Sequence, residues 1–226
     1  MAVDPADPDR VLLGGDLLGI AVSEDGGERW ERADGLLSLE VASFTFHPER
    51  PGEVWVGTMS GPHVSTDGGR TWEPRRAGFP DIEEFTYSAP VEVVLVDRND
   101  AERLLAFGGS QREWESFGDP AWGAVWESTD AGATWTRLAT IADGTNVVAA
   151  VQLGDGTLLA AAEDRGVHRS TDGGRTWEQS GAGLPHGNVR DLAAVPDGAT
   201  VYAALGEGPL DGTEHLHGGV YRSDDG

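Results

Sequence analysis

The side chains with the clearest capacity for chemistry are carboxylates, and they fall into two groups. In the first group an aspartate recurs in the pattern Ser-x-Asp-x-Gly-x-x-Trp. The copies are Ser23-Glu-Asp25-Gly-Gly27-Glu-Arg-Trp30, Ser65-Thr-Asp67-Gly-Gly69-Arg-Thr-Trp72, Ser128-Thr-Asp130-Ala-Gly132-Ala-Thr-Trp135 and Ser170-Thr-Asp172-Gly-Gly174-Arg-Thr-Trp177. Carboxylates in glycine-rich loops can bind calcium or act as acids and bases, but they also accept hydrogen bonds from turn N–H groups. A catalytic group is needed once, whereas this one returns in every copy, so the repeated aspartates are assigned to structure. Gly27, Gly69, Gly132 and Gly174 are expected to supply the positive φ of the turn, and the four tryptophans to bury a large ring beside it.

The second group occurs once. Arg112, Glu113, Trp114, Glu115, Asp119 and Trp122 stand together in the stretch Gly109–Trp122, and Asp164-Arg165, Glu207 and Asp211 fall at corresponding places further on. Aromatic faces beside carboxylates and an arginine are the equipment of a sugar-binding groove: rings stack on pyranose C–H and polar groups fix hydroxyls. The plainer alternative is that Trp114 and Trp122 pack their loop onto the scaffold, and both readings stand. His215 and His217, near Asp211 and Glu214, alternate along an extended segment and are weak candidates for a divalent metal. No metal or cofactor is otherwise expected. His47, His63, His168 and His186 have no companion that makes a site, and no glycine-rich stretch matches a phosphate loop.

These residues sit on a repeat. The pattern serines, with a partial fifth copy at Ser223-Asp-Asp225-Gly226, are 42, 63, 42 and 53 residues apart. A period near 42 is too short for a domain and fits a repeated supersecondary unit. Alternating apolar residues and turn signals divide the second unit into strands at Val41–His47, Glu53–Thr58, Gly61–Ser65 and Thr71–Pro74. The fourth repeats this at Val147–Leu153, Thr157–Ala162, Gly166–Ser170 and Thr176–Gln179. Such four-stranded meanders predict an all-β fold, a β-propeller, with blades at about 1–40, 41–80, 81–140, 141–184 and 185–226. The serine–tryptophan hairpin joins strands three and four, so the strand-two-to-three and inter-blade connections emerge at the opposite end. The surplus length of units three and five lies there, including 75–87 with Asp81, Glu83, Glu84 and Tyr87. Long loops on a rigid scaffold are where function concentrates.

Composition narrows the partners. The chain has 226 residues, no cysteine and a formal net charge of −23, and all sixteen basic residues are arginine. Zero cysteine removes disulfides, thiolate metal sites and cysteine nucleophiles. An acidic chain repels nucleic acid and anionic membranes, so neither is an expected partner. No apolar run reaches the length of a membrane span, and Met1 leads into Asp4-Pro5 without a signal-peptide core. A cytoplasmic location follows by default, or an extracellular one if the chain is a fragment of a longer secreted protein.

The Ser-x-Asp-x-Gly-x-x-Trp segments resemble the Asp-box, or bacterial neuraminidase repeat, whose members include sialidases, sortilin-type receptors, photosystem assembly factors and xyloglucanase-type glycoside hydrolases. The resemblance implies a β-propeller with its groove on the face opposite the boxes. It also implies two competing activities: a binding or scaffold module for glycan or protein, or a hydrolase of a neutral polysaccharide. Asp16, in Gly14-Gly15-Asp16-Leu17-Leu18-Gly19, resembles the aspartate of the Asp-x-Gly-Gly loop that supplies one of two catalytic acids in xyloglucanase-type enzymes, with Leu18 replacing the first glycine of that pair. The second acid of that family comes from a separate later propeller. Sialidase activity is not expected: no Arg-Ile-Pro segment occurs, and Tyr202 and Tyr221 fall on predicted strands as core residues. About five blades, with the last ending inside its turn, suggest a partial propeller whose open sheet would favour self-association.

Overall fold

The computed structural model describes residues 1–15, 17–80, 90–109, 123–195, 198–207 and 218–226. Its strands form five successive meander sheets. The first contains β1 (Ala2–Asp4), β2 (Asp7–Gly15), β3 (Gly19–Ser23) and β4 (Glu31–Arg32). The second contains β5 (Val41–Phe46), β6 (Val54–Thr58), β7 (His63–Ser65) and β8 (Glu73–Pro74). The third contains β9 (Val91–Asp97), β10 (Asp100–Gly108), β11 (Ala124–Ser128) and β12 (Thr136–Thr140). The fourth contains β13 (Val147–Gln152), β14 (Leu158–Ala162), β15 (Gly166–Ser170) and β16 (Glu178–Gln179). In the fifth, β17 (Val189–Ala194), β18 (Val201–Leu205) and β19 (Gly219–Ser223) make three strands. The architecture is all-β, a β-propeller, and among the described residues a short 3-10 turn lies at Ala142–Gly144. No helix among the described residues is long and apolar enough to cross a membrane.

The repeat extends to backbone irregularities. Register shifts occur between Val41 and Ser43, between Val147 and Ala149, and between Val189 and Asp191, the same early position in β5, β13 and β17. A bulge there bends the strand and increases its local twist.

The described chain divides into two compact units. One comprises Met1–Ala106 with Trp126–Thr136, the other Phe107–Val125 with Arg137–Gly226. The core of the first holds Leu12, Ile20, Val22, Ala33, Val54, Val56 and Trp72. Both faces of β6 are buried, as a strand between neighbouring blades must be. A Cβ on Gly57 would lie 2.5 Å from the Val91 carbonyl oxygen, so only glycine lets β6 and β9 approach this closely. The hydroxyls of Ser43 and Thr45 on β5 donate to the carbonyls of Glu92 and Val94 on β9. In the second unit the core is Ala149, Leu153, Leu159, Ala161, Val167, Val189, Leu192, Val201, Ala203 and Leu205. The run Ala160–Ala162 on β14 is fully buried, small side chains again permitting close sheet packing.

The sheet period corrects one expectation. On β18 Val201, Ala203 and Leu205 point into the core, so the intervening Tyr202 points outward and is exposed. Tyr221 is partly buried against that core.

Candidate functional site

The repeated carboxylates close the hairpins between third and fourth strands. Asp130 shows the arrangement fully. Its Oδ1 accepts from Ser128 Oγ (2.8 Å) and the Thr134 N–H (2.9 Å), and its Oδ2 accepts from Thr134 Oγ1 (2.6 Å). Ser128 Oγ in turn accepts from the N–H groups of Asp130 (3.3 Å) and Gly132 (2.8 Å). Asp67 with Ser65 and Thr71, and Asp172 with Ser170 and Thr176, repeat this within a few tenths of an ångström. Asp25 keeps the bonds from Ser23 Oγ and the Arg29 N–H. The partial fifth copy already bonds Ser223 Oγ to Asp225 Oδ1 at 2.8 Å.

Hydrogen bonds to the ionised form hold these carboxyls low. The Thr134 hydroxyl and N–H, then Ser128, bring Asp130 down to about 2, and Thr176 with Ser170 does the same for Asp172. Asp25 is lowered first by the Arg29 N–H. At Asp67 burial pushes upward, but the bonds from Thr71, Ser65 and Arg70 outweigh it and the carboxyl ends below its ordinary value. A carboxyl held ionised carries no proton to donate as an acid, and at Asp67, Asp130 and Asp172 both oxygens are engaged by their own turns. Among the described residues no group of three His, Asp or Glu side chains is placed to hold a metal ion.

Gly27, Gly69, Gly132 and Gly174 have φ values of 95°, 96°, 77° and 91°. A Cβ on Gly132 would also fall 2.1 Å from the Trp55 ring. The preceding position is left-handed as well, and in the third hairpin a non-glycine, Ala131 (φ 54°), occupies it. The tryptophans differ in burial. Trp72 and Trp135 are buried and Trp177 is half-buried, but Trp30 is 39% exposed, against expectation. The other three rings meet the preceding sheet: Trp72 joins Leu12 in one core, Trp135 meets Trp55 edge-on at 6.3 Å, and Trp177 meets Phe107 edge-on at 6.0 Å. Trp30, Trp72 and Trp177 each donate the indole N–H to the glycine carbonyl three residues back. Trp135 packs against Phe79 and Trp55 instead, and its buried N–H finds no partner among the described residues.

Strand-two-to-three connections emerge at the other end of each sheet. In the second unit, Asp164 (φ 57°) and Arg165 form the tight turn between β14 and β15. The Gly166 N–H donates to Gly187 O (3.0 Å), and Asn188 Nδ2 donates to Glu207 O (2.5 Å), which ties this turn and Glu207 to one end of the unit. Arg190 lies 3.9 Å from Glu163 beside them. Asp16, Arg112, Glu113, Trp114, Glu115, Asp119, Trp122, Asp211, Glu214, His215 and His217 lie outside the described residues, as do Asp81, Glu83, Glu84 and Tyr87.

In the first unit the same end carries a feature that residue-type reasoning passed over. Leu17 and Leu18, in the β2–β3 turn, are 70% and 74% exposed, and Leu37 and Leu39, in the connection to β5, are exposed as well. The Gly19 N–H donates to Leu39 O at 3.0 Å, joining the two segments. Leu17 is held at φ 58°, a conformation that bulky side chains rarely adopt. Beneath them His63 is fully buried: Nε2 accepts the Leu37 N–H (3.4 Å) and Nδ1 faces Gly61 O (3.2 Å). The double leucines at 17–18 and 36–37 were the available sequence signal, since apolar pairs inside turns have no strand to bury them.

Successive four-stranded blades, each closed by a Ser–Asp–Gly–Trp hairpin whose carboxylate is spent on its own turn, define an Asp-box β-propeller. The chain is a BNR/Asp-box repeat β-propeller, and the repeat itself matches at residues 63–74 and 168–179. It is similar to a Xyloglucanase of Paenibacillus sp, 26% identical over 95% of this chain and 19% of the relative. It is also similar to the Photosystem II assembly lipoprotein Ycf48 of Synechococcus sp. (strain CC9902), 31% identical over 65% of this chain and 38% of the relative. The chain thus spans less than half the length of these curated relatives. Among solved structures, the GH74 xyloglucanase from Xanthomonas campestris superposes over 99% of this chain and 35% of its own, with a TM-score of 0.69 at 18% identity. A structure of YCF48 bound to D1 peptide superposes over 96% of this chain and 64% of its own, with a TM-score of 0.56 at 17% identity. At these identities the superpositions speak for the fold alone.

Proposed function

We propose that this chain is a non-catalytic binding module that takes a protein ligand on the face opposite the Asp-box hairpins. The observation that carries this reading is the leucine cluster at 17, 18, 37 and 39. Four leucines displayed on one end, one of them in an unfavourable backbone conformation, are costly for a blade that needs only to fold. Apolar side chains of a partner would cover them. The YCF48 structure with D1 peptide supports the choice, because that propeller of the same fold is bound to a peptide.

A second reading, hydrolysis of or binding to a neutral polysaccharide with Asp16 as one acid and the Arg112–Trp122 segment as groove, is favoured by the Xyloglucanase alignment across 95% of the chain. One experiment separates the two. A random peptide library is selected on the wild-type protein and counter-selected on a Leu17→Asn/Leu18→Asp double variant, with a neutral β-glucan array run in parallel. The protein-ligand reading expects peptides that bind wild type and lose at least about tenfold in affinity on the variant, a difference of about 1.4 kcal/mol. No enriched peptide, together with glucan binding or reducing-sugar release that ignores the leucines, would overturn it.

A further inference from the structure

The hairpin end of the first unit holds a charged cleft, apart from the leucine face and independent of the reading built on it. The cleft lies between the first and second Asp-box hairpins and has a volume of about 360 Å³. Its lining includes Val22, Arg29, Glu31, Arg32, Asp34 and Arg70. Two ties between the sheets hold its walls. Arg70 forms an ion pair with Glu24 across the hairpins. The Asp34 N–H donates to Arg70 O (3.0 Å), and Asp34 O accepts from the Trp72 N–H (2.9 Å). These bonds occupy the backbone of Asp34, not its carboxylate. Among the described residues the side chains of Glu31, Arg32 and Asp34 have no hydrogen bond or ion pair, and Arg29 places its charge beside Asp25.

The other copies of the repeat serve as internal controls. In the second, third and fourth boxes the residue four after the aspartate is Thr71, Thr134 or Thr176, whose hydroxyl bonds the aspartate Oδ2 at 2.6 Å. The first box has Arg29 there and forgoes that bond. Arg32 pairs with Ala21, and at the matching register Pro74 stands opposite His63 and Gln179 opposite His168. Asp34 precedes the left-handed Gly35 (φ 91°), whereas Ala77 and Ala182 precede Gly78 (φ 102°) and Gly183 (φ 92°). The second and fourth hairpins thus close with uncharged residues at all three positions. In the first, three departures toward charge gather at one cleft, and one of them removes a hydrogen bond from its own box.

We infer that this cleft is a binding site for a small zwitterion of the α-amino acid class. The guanidinium groups of Arg29 and Arg32 suit its carboxylate, Asp34 and Glu31 suit its ammonium group, and Val22 offers an apolar contact. Both signs of charge stand side by side, so a ligand of one sign alone would set like charges against each other. The volume falls within the range of roughly 300–1,000 Å³ typical of small-molecule sites.

The test uses the full 226-residue chain and isothermal titration with the free proteinogenic α-amino acids, each beside its N-acetyl and amide derivatives. At least one free amino acid should bind saturably, with affinity falling at least about tenfold when its amine is acetylated or its carboxylate amidated. Asp34→Asn and Arg32→Gln should each weaken that binding by a similar factor. Arg29→Thr separates binding from folding: it rebuilds the box of the other hairpins, so its urea midpoint should equal or exceed that of wild type while binding falls. Absence of binding by every amino acid at millimolar concentration would overturn the inference. So would equal binding of the acetylated or amidated forms, or binding unchanged in Arg29→Thr and Arg32→Gln.

Discussion

His63 is enclosed by its own turn and by the connection above it, with neither ring nitrogen open to water. Burial pushes its pKa down to about 4, opposed by the Gly61 carbonyl and assisted by the charge of Arg76. The folded protein therefore keeps the ring neutral, while the unfolded chain binds a proton at the ordinary value of about 6.5. A depressed folded-state pKa gives stability that is present above 6.5 and is lost as pH falls from 6.5 to 4, by up to about 3 kcal/mol. Urea melts across that range should show this decline, and His63→Gln should flatten it relative to wild type. An undiminished decline in the variant would remove His63 as its cause. Below pH 4 a second loss is expected as the box aspartates, held down to about 2 at Asp130 and Asp172, take up protons. Sequence reading placed His63 among the histidines without a partner and left it there. Its role depends on Leu37, twenty-six residues away, whose contact with it no local pattern reveals.

Trp72 is buried in a core with Leu12 and Val54, whereas Trp30 is 39% exposed. Trp72→Ala should therefore cost about 3–5 kcal/mol, as deletion of a buried aromatic does, while Trp30→Ala should cost less than about 1 kcal/mol. Denaturant midpoints of the two variants check this, and equal losses would contradict the packing account. Strands were the most legible level. In the second and fourth blades the predicted limits and β5–β8 and β13–β16 agree within about two residues at each end, because alternation and the Asp-Gly-Gly turn act locally. Legibility fell where neighbouring sheets intervene. The contacts of Trp135 with Phe79 and Trp55, and its N–H without a partner among the described residues, are set by what lies across the sheet, not by the eight-residue pattern. Leu17 escaped for a different reason, since a φ of 58° at a leucine contradicts local preference and cannot be read from it.

Across the chain the two ends of the blades carry different duties. Hairpin ends engage their carboxylates in their own turns, so a net charge of −23 includes aspartates bonded within the fold. The opposite ends display exposed leucines in the first unit and charged turns in the second. If the duties are separate, stability and ligand binding must respond to different substitutions. The direct measurement is a paired one: urea melts and binding isotherms of a library-selected peptide on wild type, Asp67→Ala and Leu17→Asn/Leu18→Asp. Asp67→Ala, which deletes the acceptor of four hydrogen bonds, should lose about 1–3 kcal/mol of stability and bind the peptide as wild type does wherever it is folded. The leucine variant should melt at or above the wild-type midpoint, because asparagine tolerates the left-handed conformation better than leucine, and lose at least about tenfold in affinity. Binding that follows Asp67 and ignores the leucines would contradict the account.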